Sequence, residues 1–280
     1  MKYAVIIIIT ILFFQSCTER VDIDLEQAGE SRLVVFGEIT SDVKAHAVYL
    51  TKSMPYFYNE ETPVVSGAIV HLSDGTTNTQ LVEDPANPGV YLTPDSYAGV
   101  PGRTYRLSIE QVDINEDGTL ESYAAETWMK NVTQVDAVGV TYNSRWDGWE
   151  VELYADEPGE TEDYYLFKVY KNGVLYTDTI SNYWTADDRF FNGNRIDGAM
   201  VQYFDEEKDE LVEPGDVIML EVAGITKEYY DFINALQQEI NGKVPIFSGP
   251  SANVKGNISN GALGFFAVMS VSRGSCVYVK

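Results

Sequence analysis

The sequence predicts a mainly β chain folded as two β-sandwich bodies, and three observations predict it. Short runs of alternating apolar and polar residues recur from Leu33 onward, separated by Gly, Pro, Asn and Asp. The first half carries no helical period that competes with them. A single segment, 226–241, repeats its apolar positions at helical spacing. An apolar content of 45% is sufficient to fill such cores. The expected divisions are 1–16 (leader), 17–31 (acidic tether), 32–132 (N-terminal β-sandwich) and 133–280 (C-terminal β domain with the helix and long loops).

Lys2 is the only side-chain charge before an apolar run over 3–14 that only Thr10 interrupts. A basic start, a run of this length and the small Ser16 before Cys17 read as a secretory leader. The run is shorter than the roughly 20 residues a spanning helix needs. Cys17 directly after Ser16 resembles the bacterial lipobox, with Phe14 and Gln15 standing where Leu and Ala are usual. That resemblance implies lipidation of Cys17 as the mature N-terminus. Each buried methylene adds about 0.8 kcal/mol, so more than one acyl chain anchors firmly. A cleaved leader followed by an incidental Cys is the alternative. Glu19, Asp22, Asp24, Glu26 and Glu30 make 17–31 read as an acidic tether, although Val21, Ile23 and Leu25 alternate as the start of a strand would.

From there the β pattern is regular. Leu33-Val34-Val35-Phe36-Gly37-Glu38-Ile39 is rich in β-formers, and 45–51 alternates through Ala47, Tyr49 and Thr51. Residues 68–72 end at the turn Ser73-Asp74-Gly75, and 79–82 run into Asp84-Pro85. Val90-Tyr91-Leu92 restarts, and Pro101-Gly102 precedes the alternating segment 104–109. The second set comprises 135–142, 149–154, 164–170, 199–204 and 216–222, with Asn172-Gly173 as a hairpin turn. This spacing suits immunoglobulin- or transthyretin-like sandwiches. Residues 180–198 have no period and read as a long loop. The helix has Thr226 as N-cap and an apolar stripe of Tyr229, Phe232, Ile233, Leu236 and Ile240, with Gly242 and Pro245 to stop it. A Gly/Asn-rich loop then feeds a terminal strand, in which Cys276 reads as a buried, inert thiol.

Charge and cysteine content exclude whole classes. There are 19 basic against 43 acidic residues, a net charge of -24, which argues against nucleic acid, whose phosphates need Lys and Arg. It argues equally against a basic patch on an anionic membrane, leaving the lipid anchor as the membrane contact. Two cysteines, Cys17 and Cys276, make neither a disulfide framework nor a cysteine zinc site.

Two constellations carry candidate chemistry. Asp113, Asn115 and Asp117, followed by Gly118 and with Glu121 beyond, fit the D-x-N-x-D-G opening of a calcium loop. Ala124 stands at the twelfth position, where the bidentate Glu belongs, and a plain hairpin tip accounts for the same residues. Calcium is therefore the one cofactor with candidate ligands. Aromatic loops form the second set: Tyr56-Phe57-Tyr58-Asn59, Trp146 with Trp149, Tyr183 with Trp184, and Phe190. Rings beside polar groups suit a glycan or peptide ligand or a protein interface, and they also suit packing of loops onto sheets. His46 and His71 lie in strands with no nucleophile motif, and G-x-S-x-G, H-E-x-x-H and the P-loop are all absent from the sequence. No catalytic residue is assigned, and a hydrolase is the last of the readings.

The tail carries a family resemblance. Residues 253–257, then Gly261-Ala262-Leu263-Gly264-Phe265-Phe266 and Ser270-Val271-Ser272, resemble the C-terminal signature of Bacteroidetes lipoproteins of the domain of unknown function 4249 family (DUF4249). Pro214-Gly215-Asp216-Val217-Ile218 and the segment 226–232 are similar to that family's strand-then-helix stretch, as Gly67-Ala68-Ile69-Val70 is to a first-domain strand. The resemblance implies an outer-membrane lipoprotein, exposed at the cell surface or facing the periplasm, beside a TonB-dependent transporter in nutrient uptake. It brings no catalytic residues. A structural or plug-like subunit of the transporter complex is the second expectation.

Overall fold

The computed structural model describes residues 31–54, 61–159, 161–208, 210–241 and 253–280. The leader, Cys17, the tether, the loop Tyr56-Phe57-Tyr58-Asn59 and the helix stop at Gly242 and Pro245 lie outside the described residues.

The first set of strands is β1 (Leu33–Thr40), β2 (Ala47–Lys52), β3 (Ile69–Ser73), β4 (Asn78–Glu83), β5 (Val90–Leu92), β6 (Thr104–Val112) and β7 (Glu121–Trp128). The second is β8 (Val135–Asn143), β9 (Gly148–Asp156), β10 (Tyr164–Lys171), β11 (Val174–Leu175), β12 (Trp184–Asp187), β13 (Arg195–Asp205) and β14 (Val217–Ile225). Helix α1 (Lys227–Asn241) and the long β15 (Leu263–Val277) follow. The fold is mainly β and sandwich-like, with α1 as the single α-helix among the described residues.

One strand path runs β11-β10-β14-β15-β1-β2-β5-β4-β3-β6-β7, with β12 also on β10, and a second sheet runs β13-β9-β8. β15 is its hinge point. Its first half pairs parallel with β1, from Val34↔Leu263 to Thr40↔Met269. Its second half pairs antiparallel with β14, from Val217↔Val277 to Gly224↔Ser270. The first core gathers alternate residues of the N-terminal strands, such as Val35, Leu50, Val70 and Leu107, and takes Phe266 from β15. The second lies between the β13-β9-β8 sheet and the strands β10 and β14, and includes Leu153, Phe167, Val201 and Leu220. On the other face of β10, α1 buries Tyr229, Phe232 and Ile233 against Leu166, Ile225 and Phe265. Ser31–Lys280 is one compact unit, and between β7 and β8 the chain passes from the first core, which holds Met129, to the second, which Val132 packs against.

Burial explains the sequence patterns. β1 is packed on one face and alternates; β10 is packed on both, so Tyr164 to Val169 are all buried. Lys168 is the charge in that run, and its ammonium meets Glu38 Oε2 at 2.6 Å while Tyr229 donates to Glu38 Oε1 at 2.8 Å. The Asn172-Gly173 turn has φ of 51° and 81°, the two positive values a two-residue hairpin needs. Thr226 Oγ1 accepts from the Tyr229 amide at 3.3 Å, the expected N-cap bond.

Three expectations need correction. Residues 180–198 are not a loop: Ile180–Asn182 is a 3-10 turn, β12 pairs with β10, and β13 begins at Arg195. β12 is four residues long and half-buried throughout, so it has no alternation to read. Ile240 is 55% exposed, because the apolar stripe of α1 ends with the partly buried Leu236. Cys276 is half-buried rather than buried, and desolvation pushes its thiol above the ordinary value. β7 carries no expectation, since Ala and Glu are poor β-formers, yet Tyr123 and Ala125 are its buried alternates.

Candidate functional site

Trp146 sits in the turn between β8 and β9. The Arg145 amide donates to Asn143 Oδ1 at 2.9 Å, the Trp146 amide to the Asn143 carbonyl at 3.2 Å, and Asp147 closes the turn with φ of 52°. Tyr203 of β13 donates its hydroxyl to the Trp146 carbonyl. With its backbone tied down, the indole is left 66% exposed.

Trp184 starts β12 and is placed from the other side by α1. Gln237 Nε2 donates to the carbonyls of Ile180 at 2.8 Å and Tyr183 at 2.7 Å. Asn234 Nδ2 reaches Thr185 Oγ1 at 3.1 Å. The polar flank of the helix therefore holds the segment that delivers Trp184.

The two tryptophans converge. Trp146, Trp184, Met200 and Tyr203 wall an open groove of about 610 Å³. Asp147, Glu150, Asp205 and Glu207 also line it, with Arg145 as the one basic residue of the lining. Aromatic faces edged by carboxylates favour a ligand with an apolar body and hydrogen-bond donors or positive charge.

The other sequence-selected aromatics go elsewhere. Trp149 is 8% exposed and packs edge-on to Tyr142 at 5.1 Å and Tyr278 at 6.5 Å; its indole N–H meets no acceptor. Tyr183 turns toward α1, under the Lys168 ammonium at 5.1 Å from its ring, and burial raises its hydroxyl pKa. Phe190 is 85% exposed and lies outside the groove walls.

The D-x-N-x-D-G segment forms the tip between β6 and β7. Asp113 accepts from the amides of Asp117 at 3.1 Å and Gly118 at 3.0 Å. Asp117 accepts from the Thr119 amide at 2.7 Å, and Asn115 Nδ2 donates to its other oxygen. Glu121 accepts from the Tyr123 hydroxyl instead of facing the tip. These contacts are those of a turn. His46 is buried, its Nδ1 accepting from the Thr40 amide at 3.3 Å and its Nε2 within 3.1 Å of the Asp42 carbonyl; burial lowers its pKa.

Sequence reading missed a second feature inside the second core. Leu153, Tyr165, Phe167, Trp184, Ile196 and Val201 surround a cavity of about 230 Å³ that Glu157 and Asp188 also line. Glu157, Asp163 and Asp188, all buried, bring carboxylate oxygens within 4.8 Å of one another. Tyr165 donates to both oxygens of Glu157, at 2.7 and 2.9 Å. Lys130 Nζ lies 3.0 Å from Asp163 Oδ1. Asp188 accepts from the Asp163 amide at 3.0 Å and from Asn192 Nδ2 at 2.9 Å. Burial, helped by Asp163 and Asp188, raises the Glu157 carboxyl pKa. Each residue brings one carboxylate oxygen to the common point, three against the roughly 6–8 oxygens that calcium takes. The sequence does not mark this cluster, because Glu157, Asp163 and Asp188 stand among 43 acidic residues with no motif spacing between them.

No described helix is long and apolar enough to cross a membrane. Among solved structures, the chain is similar to the FN1–FN3 domains of chicken CNTN1 at 13% identity and a TM-score of 0.26, covering 70% of this chain and 60% of that one. It is similar to a cytokine receptor complex at 8% identity and a TM-score of 0.26, covering 86% and 94%. No curated protein matches the sequence. The model of the domain of unknown function DUF4249 matches residues 18–275, and the chain belongs to that family.

Proposed function

We propose that this protein is a lipid-anchored outer-membrane lipoprotein that captures a ligand as a non-catalytic accessory of a TonB-dependent transporter. The observation that carries the capture reading is the groove between Trp146 and Trp184, which two separate anchoring systems aim at one open space. The anchor rests on Cys17 and the leader before it. The absence of a bond-making role rests on the histidines: His46 is occupied by backbone groups, and neither it nor His71 has a nucleophile motif beside it.

The detergent-solubilised full-length protein should retain peptides or glycans on an array, and Trp146→Ala or Trp184→Ala should lower that retention at least about tenfold, which is 1.4 kcal/mol. Trp146 is exposed, so its loss leaves the fold unchanged. Retention by both variants at the parent level would remove the groove from consideration. Recovery of a transporter with the parent but with no captured ligand would favour the plug-like subunit. Mass spectrometry finding an unmodified Cys17 would sink the anchor.

A further inference from the structure

The cavity between the two sheets of the second core shares Trp184 and Met200 with the open groove, so the two spaces adjoin. Its 230 Å³ is many times the roughly 10–15 Å³ that one water needs. Leu153, Phe167, Ile196 and Val201 give it apolar walls. Its charged lining is acidic: Glu157, Asp187 and Asp188 line it together with Thr133 and Thr185, and no described Lys or Arg does. Glu157 and Asp188 join the buried Asp163 in a cluster of three carboxylates, and the Lys130 ammonium lies 3.0 Å from Asp163.

Buried like charges this close call for a further positive group or a proton. A sugar would press hydroxyls onto apolar walls that cannot pair with them. An anion would meet carboxylates. An apolar body ending in an ammonium satisfies both the walls and the acidic lining, and the ammonium supplies the missing counter-charge.

We propose that this cavity binds a primary amine with a short alkyl or arylalkyl body, its ammonium placed against Glu157 and Asp188. The inference deepens the capture reading by naming the ligand chemistry of its inner part, and it rests on that reading only through the shared Trp184. The cation competes with a proton for Glu157, so affinity rises with pH. The groups facing Glu157 are Asp163 ahead of β10, Tyr165 on β10, Asp188 after β12 and Lys130 after β7.

The test is titration of the solubilised full-length protein with n-hexylamine and with n-hexanol, read by calorimetry and tryptophan fluorescence against detergent blanks. Hexylamine should bind at least about tenfold tighter than hexanol, and only its affinity should climb with pH. Glu157→Gln keeps an oxygen for the Tyr165 hydroxyl and should bring the two probes within about twofold of each other. Ala199→Leu, which fills the cavity from β13, should abolish binding of both. Equal affinities in the parent, no binding of either probe, or an amine preference that survives Glu157→Gln overturns the proposal. Trp146→Ala separates the two readings. Lost array retention with hexylamine affinity intact upholds the inner site, whereas intact retention without amine preference defeats the inner site alone.

Discussion

Two acids in this chain, the half-buried Glu38 and the buried Glu157, have opposite circumstances. Glu38 has a cation of its own in Lys168 and a donor in Tyr229, so its charge is matched where it lies. Glu157 has only the Tyr165 hydroxyl in direct contact, and two further carboxylates stand nearby. Its carboxyl pKa is raised, chiefly by burial. A raised acid supports the folded state most fully below its unfolded value of 4.5. That support is lost as pH rises through the folded value. Glu157→Gln, which mimics the protonated form, should therefore melt above the parent at neutral pH, and the gain should disappear as pH falls below about 4.5. Thermal melts across pH decide this; a variant that is less stable at neutral pH would mean that the ionised carboxylate is a net asset. A parent weakened by its own acid is what a site built for a cation would show.

At the scale of elements, the tail that carries the family resemblance closes backbone against backbone. Gly264 has φ of 90°, and a Cβ there would overlap the Val35 carbonyl oxygen of β1; a Cβ on Gly256 would overlap the Gly264 carbonyl oxygen. Asn257 caps this closure, its Nδ2 donating to the Phe266 carbonyl at 2.8 Å and its Oδ1 accepting from the Phe266 amide at 2.9 Å. The segment thus does structural work where β15 enters the sheet. Gly264→Ala should cost more than the roughly 1–2 kcal/mol of left-handed backbone strain, because overlap is added to it. Gly261→Ala, at φ of 72° with nothing within 4 Å, should cost only the strain. Urea unfolding of both variants gives the comparison, and equal losses would show that the close approach to β1 relaxes freely.

At the scale of the molecule, β15 makes the halves interdependent. It gives Phe266 and Val268 to the first core, and β1 pairs with it along seven residues. A fragment ending at residue 132 lacks those side chains and leaves β1 as a bare edge. The fragment 31–132 should show no cooperative melt, while the full chain should unfold in one transition. A native-like melt of the fragment, or two resolved transitions in the parent, would show that each core stands alone.

Alternation, turn residues and the apolar stripe were enough to specify most of the sandwich strands (though not β7), the Asn172-Gly173 hairpin and α1 with its Thr226 cap, because each depends on neighbours a few residues away. Tertiary structure alone decided that Trp146 and Trp184 share a groove while Trp149 and Tyr183 pack inward. It alone decided that β12 is a strand, since four half-buried residues carry no period. It alone picked Glu157, Asp163 and Asp188 from 43 acidic residues. Burial of a charge depends on which strands meet across a core, and that is settled by pairings such as β1 with β15, more than two hundred residues apart in the chain.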